Sequence, residues 1–469
     1  MGDEKRESYD VTIIGGGAAG YTAALKAVRR GFTVALIEKE RVGGTCLTRG
    51  CVPTQCLLRD LIEYSFFRTC DYVQKGPEGI RLSLQKLIER KNRVVDLLVD
   101  GTEKTLRSEG VSIVEGEGTF LDVQTVMVQP SRRVIRSKYI IIATGSRWRL
   151  EPPFVIDHHQ VWDSTDALRV DSVPKSIAIV GGGVRAMTFA DIFHYLGSEV
   201  HIITHSGPIL PDMDSGIRSR YRKVLKEKKI HLDTSASVTQ LEPGRTGDVV
   251  DLTLESKKGI KSLQVAKVLI PADREANVEG LNLEAVGLSL TDGSIPVDRD
   301  LMTSVPRLYA IGDAIGGKYA AHKAMAEGIA VARRMAGDDP RINYDLIPIC
   351  LYTNPEVAFI GLTQEGAEQR GHEIEVGYFP FAAGARPVIF DQPEGIIKVV
   401  CEKKYGEVLG VHIIGPQATE LIALASMAMK NELSLNEIRE VVYPHPSFSE
   451  SFLDAINDAL HMLNQNTSP

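Results

Sequence analysis

Apolar runs and amphipathic stretches alternate along this chain in a regular order. Tyr9-Asp10-Val11-Thr12-Ile13-Ile14 is aliphatic and β-branched and reads as a buried parallel strand. Gly15-Gly16-Gly17-Ala18-Ala19-Gly20 follows at once. An Ala-rich helix is then expected over residues 21–30 and a second strand over 33–37, ending at Glu38. Residues 82–108 carry the period of a long amphipathic helix, and 111–116 and 139–146 read as strands. The opening order then recurs. Ser176-Ile177-Ala178-Ile179-Val180 leads into Gly181-Gly182-Gly183-Val184-Arg185-Ala186, a helix over 187–197 and a strand over 199–204. Two such units in one chain make an internal repeat. Residues 301–313 read as a further strand ending in Gly312-Asp313. From about Leu346 the pattern changes to strand-like alternation at 396–400 and 408–414, followed by helices at 418–430 and 435–441.

The chain has 469 residues, too many for one domain. The expected divisions are 1–147, 148–274, 275–345 and 346–469. Composition is that of a globular protein, 43% hydrophobic and 25% charged. A net charge of -7 disfavours non-specific nucleic-acid binding. No run of eighteen apolar residues suggests a membrane span. Residues 1–8 are charged and lack an apolar centre, so they do not read as a secretory signal, and a cytoplasmic location is expected.

Each glycine turn sits in the strand–turn–helix context of a dinucleotide fingerprint. In the first, Gly15 makes the tight turn, Gly17 lets backbone approach a pyrophosphate, and Gly20 lets helix and strand pack closely. Glu38 stands where a carboxylate binds a ribose hydroxyl. In the second, Ala186 replaces the third glycine and Thr204 stands where the acid is expected.

Six cysteines do not make a disulfide scaffold. Two of them lie five positions apart in Gly43-Gly44-Thr45-Cys46-Leu47-Thr48-Arg49-Gly50-Cys51-Val52-Pro53-Thr54-Gln55. On a helix that spacing brings sulfurs near each other, and Gly50 permits the distortion a disulfide needs. The spacing alone leaves open a redox pair or two ordinary cysteines. Cys56, Cys70, Cys350 and Cys401 read as small buried hydrophobes. Near the far end, Tyr443-Pro444-His445-Pro446-Ser447-Phe448-Ser449-Glu450 sets an imidazole between two prolines with a carboxylate five residues on. A carboxylate on one imidazole nitrogen fixes the tautomer, as in a catalytic triad.

Taken in this order, the motifs resemble those of the flavin-dependent pyridine nucleotide-disulfide oxidoreductases, class I, and among them the dihydrolipoamide dehydrogenases. The likeness runs from Tyr9 to about Leu463. It implies an α/β fold with two Rossmann-like FAD- and NAD-binding domains and a C-terminal α+β dimerisation domain. It implies FAD held by Gly15, Gly17, Gly20, Glu38, Lys39, Gly44, Thr45, Gly116, Thr144, Gly145, Gly312 and Asp313, and NAD by Gly181 and Gly183. It further implies that Cys46 is the exposed interchange thiol, that Cys51 lies against the flavin, and that His445 and Glu450 serve Cys46 of a second copy in a homodimer. The implied substrate is a lipoyl-bearing protein or a small dithiol, with neither nucleic acid nor membrane as partner.

The chain departs from the family pattern on one side. Apart from Tyr443, which stands near His445 where the family often has a further histidine, Gln55 and Thr188 stand where the family carries a Lys–Glu pair beside the flavin on the nicotinamide side, and Thr204 lacks the ribose carboxylate. NAD is therefore expected as a weakened acceptor. The alternatives are a relative that reduces another small disulfide or a metal ion, and a flavoprotein subunit that binds a partner and uses a non-nicotinamide acceptor. Thr204 and His205 do not supply the arginines an NADPH site wants, and residues 461–469 contain no cysteine pair of the mercuric reductase kind.

Overall fold

The fold is described from a computed structural model, which covers residues 6–72, 74, 79–205, 207–244, 248–271 and 273–466. The described chain divides into two compact units. The first comprises residues 6–56, Ser83–Glu151 and 273–342, and the second Leu57–Leu82, Pro152–Pro271 and 343–466.

The first unit is built on a seven-stranded sheet. Arg6–Ile14 lies at its centre, parallel to Val34–Glu38 on one side and to Arg133–Ile142 on the other. Ser112–Glu115 extends the sheet beside Val34–Glu38, and Leu308–Ala310 pairs with Arg133–Ile142. The aliphatic runs suit strands covered on both faces. Val11, Ile13, Leu36 and Ile141 are buried against Ala19, Ala23 and Ala27 of the helix Ala18–Val28. The alanines and one glycine let a second helix, Ala321–Met335, pack on the first. A Cβ on Gly328 would meet Ala19 O at 2.5 Å.

The second unit holds three sheets. A parallel one runs in the order His231–Thr234, Glu199–Thr204, Ser176–Val180, Lys267–Leu269, Val161–Trp162. Ala236–Pro243, Val250–Ser256 and Gly259–Val265 form an antiparallel meander. The C-terminal sheet is antiparallel, ordered Ile349–Leu351, Glu356–Gly361, Val408–Gly415, Ile396–Glu402, Ile374–Pro380, and is packed by Ala418–Lys430 and Ser449–Asn466. The α/β architecture matches the expected class.

Several element boundaries shift. The first helix begins at Ala18 rather than Tyr21, because Gly17 is its extended N-cap. The strand expected over 139–146 is Arg133–Ile142, after which Gly145 takes φ +72° and Ser146–Arg149 turns away to pair with Asp273–Ala276. The strand expected over 301–313 contracts to Leu308–Ala310, since Leu301 and Arg307 have positive φ. Of the four cysteines expected to be buried, only Cys401 is; Cys56, Cys70 and Cys350 are half-buried.

Candidate active site

The first glycine turn is closed by backbone. Gly15, at φ +104°, donates its amide to Ile37 O at 2.8 Å, and any Cβ there would meet Ala143 O at 2.3 Å. A Cβ on Gly20 would fall 1.8 Å from Gly15 O, so helix and turn fit only with glycine at both places. Glu38 is fixed by amides: Gly16 N donates to its Oε2 at 2.6 Å and Glu40 N to its Oε1 at 2.9 Å. Lys39 instead pairs with Glu117 on the surface at 3.0 Å. Gly116, at φ +138°, donates to Glu38 O and lets the neighbouring strand close in.

This turn carries the redox stretch directly. Gly43 N donates to Gly16 O at 2.8 Å, and a Cβ on Gly44 would come within 2.7 Å of Gly17 Cα. The short helix Gly44–Arg49, which includes Thr45, starts at that contact. It breaks at Gly50, whose φ of -134° and ψ of -118° lie outside the helix, and Cys51–Thr69 then begins a new helix. A Cβ on Gly50 would meet Thr45 O at 2.8 Å, so the break needs glycine.

Cys46 and Cys51 are free thiols close enough to shift each other's acidity in opposite directions. The Cys46 partner lowers the Cys51 thiol to about 7, with Arg274 among the groups that favour its anion. Cys46 is pushed up by the Cys51 partner and by burial. Cys46 is half-buried inside its helix, whereas Cys51 opens the next helix and is exposed.

Asp313 lies near both sulfurs and forms a compact cluster. Its Oδ2 accepts from Ser146 Oγ at 2.7 Å and from Arg274 Nη1 at 2.8 Å. Arg274 also lies 4.5 Å over the Trp148 ring. Gly312 N donates to the buried Glu327 at 2.7 Å, and Lys323 Nζ donates to Gly312 O and Gly316 O at 3.2 and 2.9 Å. Sequence pattern did not single out Arg274 or Ser146, because they meet only through the pairing of Ser146–Arg149 with Asp273–Ala276.

The first unit fits a flavin dinucleotide in three respects. The Gly17–Gly44 approach leaves bare backbone where a pyrophosphate would lie. Glu38 stands at the end of the second strand. Thr144 Oγ1 and Arg274 Nε are buried with no hydrogen-bond partner, so polar groups remain for a ligand.

The second turn lies in the second unit. Gly181, at φ +142°, donates to Ile203 O at 2.8 Å, and Gly183 caps the helix Val184–Leu196. Thr204 is buried and its hydroxyl donates to Gly207 O at 3.1 Å, so it closes a loop rather than presenting a free group. Thr188 bonds back to Val184 O within its own helix at 2.9 Å. Further along the second unit, His445 Nδ1 and Glu450 Oε1 are 2.8 Å apart, and Glu450 Oε2 accepts Ser447 N at 2.7 Å. The His445 side chain is 73% exposed. With the proton on Nδ1 and donated to Glu450 Oε1, Nε2 is left to take a proton.

Comparison with known proteins agrees with this geometry. A family model described as pyridine nucleotide-disulphide oxidoreductase matches residues 9–328, and its dimerisation domain matches 347–456. The chain is 35% identical over 459 residues to a dihydrolipoyl dehydrogenase of Bacillus subtilis, covering 95% of this chain and 97% of that one. It is 35% identical over 459 residues to the mitochondrial dihydrolipoyl dehydrogenase of Pisum sativum, covering 96% and 91%. Among solved structures it is similar to RclA of Escherichia coli, an HOCl-induced flavoprotein disulfide reductase seen as a Cu(II) complex. There the TM-score is 0.86 at 27% identity, over 96% of this chain and 99% of that one.

Proposed function

The chain belongs to the pyridine nucleotide-disulphide oxidoreductase family, and from that premise we propose that it oxidises dihydrolipoyl groups carried by a partner protein, as the names of its relatives suggest. It is a flavoprotein disulfide oxidoreductase with FAD and NAD as cofactors. No helix among the described residues is long and apolar enough to cross a membrane.

The observation that carries the reading is the placing of Cys46 and Cys51 beside the first glycine turn by the Gly43–Gly16 bond and the close Gly44–Gly17 approach. A substrate thiol, deprotonated by His445 Nε2, attacks Cys46 Sγ of the Cys46–Cys51 disulfide and expels Cys51 as thiolate. The second substrate thiol then attacks the mixed disulfide, releasing oxidised lipoyl and leaving Cys46 reduced. Cys51 leaves well because its thiol is the more acidic of the two. FAD, which Gly15, Gly17, Gly20 and Glu38 would hold, would supply a two-electron acceptor for this dithiol, with NAD as the acceptor beyond it. Glu450 holds the His445 tautomer through the 2.8 Å contact. The dimerisation domain supports a homodimer, and on this reading His445 and Glu450 of one copy act on Cys46 of the other.

Thr204 and Thr188 each spend their hydroxyls on local carbonyls, and this favours weakened NAD handling. Anaerobic mixing of the yellow holoenzyme with dihydrolipoamide and with NADH tests the reading. Rapid flavin reduction by dihydrolipoamide and slower reduction by NADH are expected, and His445→Gln should slow the dithiol arm by roughly two to four orders of magnitude. Rapid reduction by NADH alone, with an unresponsive dithiol arm, would reject the substrate assignment.

A further inference from the structure

The parallel sheet of the second unit carries a side-chain cluster that the redox chemistry does not use. Glu199 and His201 are two residues apart on one strand, so they project from the same face. His231 begins the edge strand and is the in-register partner of His201. Parallel pairing therefore sets the two imidazoles side by side, with ring centroids 4.6 Å apart and planes inclined by 16°. Glu199 Oε1 reaches both rings, lying 3.1 Å from His201 Nε2 and 3.6 Å from His231 Nε2. One nitrogen of each ring and one carboxylate oxygen lie within 4.8 Å of one another.

We propose that Glu199, His201 and His231 form a binding site for a divalent transition metal of the zinc type. Tetrahedral zinc bonded at about 2.0–2.1 Å places its ligand atoms roughly 3.3 Å apart. The two contacts from Glu199 already bracket that edge length. Two imidazoles and a carboxylate without thiolate suit zinc and its borderline neighbours, and exclude a preference for calcium or magnesium. Three protein ligands leave water to complete the shell.

Closing the site needs only a tilt of the stacked rings. His201 Nδ1 is buried without a hydrogen-bond partner, so no bond on that side holds the ring against the tilt. His231 and Glu199 are more than half exposed and adjust freely. Lys261, the cation that bears on His201, is held by both Asp233 oxygens at 3.0 and 2.9 Å. A bound metal would staple the edge strand His231–Thr234 to Glu199–Thr204. Glu199 starts that strand, while the second glycine turn meets its other end at Ile203, so the metal would brace the nucleotide-binding sheet from the end opposite its turn.

The test uses oxidised holoenzyme, freed of metal by chelator and carrying Cys46→Ser and Cys51→Ser so that the redox pair cannot compete. Zinc chloride titrated calorimetrically should bind at one equivalent per chain and raise the unfolding midpoint. His231→Ala and Glu199→Gln, both exposed and without a core role, should each weaken binding by at least about 10- to 100-fold, the loss that follows removal of even an outer partner of a zinc ligand. Cobalt(II) in place of zinc should give the strong visible bands of a tetrahedral site, absent in His231→Ala. Zinc binding that is missing, or that is unchanged in both variants, would overturn the assignment.

Discussion

At the first glycine turn Gly15 donates to Ile37 O, and at the second Gly181 donates to Ile203 O, both at 2.8 Å. Gly16 O accepts from Gly43 N, and Gly182 O accepts from Leu210 N, again both at 2.8 Å. The backbone of the two turns is thus pinned in the same way. Their side chains differ. Gly20 sits where a methyl would lie 1.8 Å from Gly15 O, whereas Ala186 Cβ lies no closer than 3.8 Å to a Cβ built on Gly181. Glu38 receives the Gly16 amide, while Thr204 gives its hydroxyl to Gly207. Only the first turn is welded to a redox helix. Duplicated backbone therefore conserves a cradle, and the chemistry on each cradle is set by a few side chains.

The contrast breaks most sharply at the third glycine. Gly20→Ala should purify without bound flavin, as judged by loss of the yellow spectrum, because the turn cannot absorb a Cβ only 1.8 Å from Gly15 O. Ala186→Gly should leave NADH kinetics nearly unchanged. A yellow Gly20→Ala protein would show the first turn to be as roomy as the second.

Next in size is the carboxylate. Thr204→Glu should lower the KM for NADH by roughly ten- to a hundred-fold, the scale of one charge-assisted hydrogen bond. No gain would mean that the Gly207 loop, and not the missing charge, limits the second turn.

A smaller effect is expected at the sulfurs beside the first turn. Alkylation of Cys51 in the reduced enzyme should accelerate as pH rises through about 7, where its thiol becomes thiolate. Arg274 favours the anion, so Arg274→Gln should move that midpoint upward. A midpoint that stays put would show that Cys46 alone sets it. The smallest effect belongs to Thr188→Val. Its hydroxyl is spent within its own helix, and NADH turnover should change by less than about two-fold.

Both turns were legible in the sequence because each glycine set follows an apolar β-branched run and precedes a helix. The Cys46–Cys51 and His445–Glu450 pairs were legible because their partners lie five residues apart. The Arg274–Asp313–Ser146 cluster was not. Ser146 and Arg274 are separated by 128 residues and meet through a two-stranded pairing that periodicity does not announce. Nor did residue type reveal that Thr204 closes a loop, since only the position of Gly207 shows where the hydroxyl goes. The strand expected to end at Asp313 was cut short by positive φ at Leu301 and Arg307, residues whose side chains give no warning of it.

The flavin-holding unit is stitched from three separate stretches of chain, the last of them ending at Ile342. Its central strand leaves the ribosome early, but Leu308–Ala310 and Asp313 follow some three hundred residues later. At about 5–20 residues per second, that strand waits on the order of 15–60 s for its last neighbour. The second unit's parallel sheet, by contrast, is drawn entirely from Val161–Leu269 and can close while synthesis continues. Ribosome-bound chains halted after about residue 310, with Lys267–Leu269 clear of the exit tunnel and Leu308–Ala310 still inside it, should therefore protect the second sheet from protease while the first remains open, and the capacity to retain flavin should arrive abruptly once Ala321–Met335 has emerged.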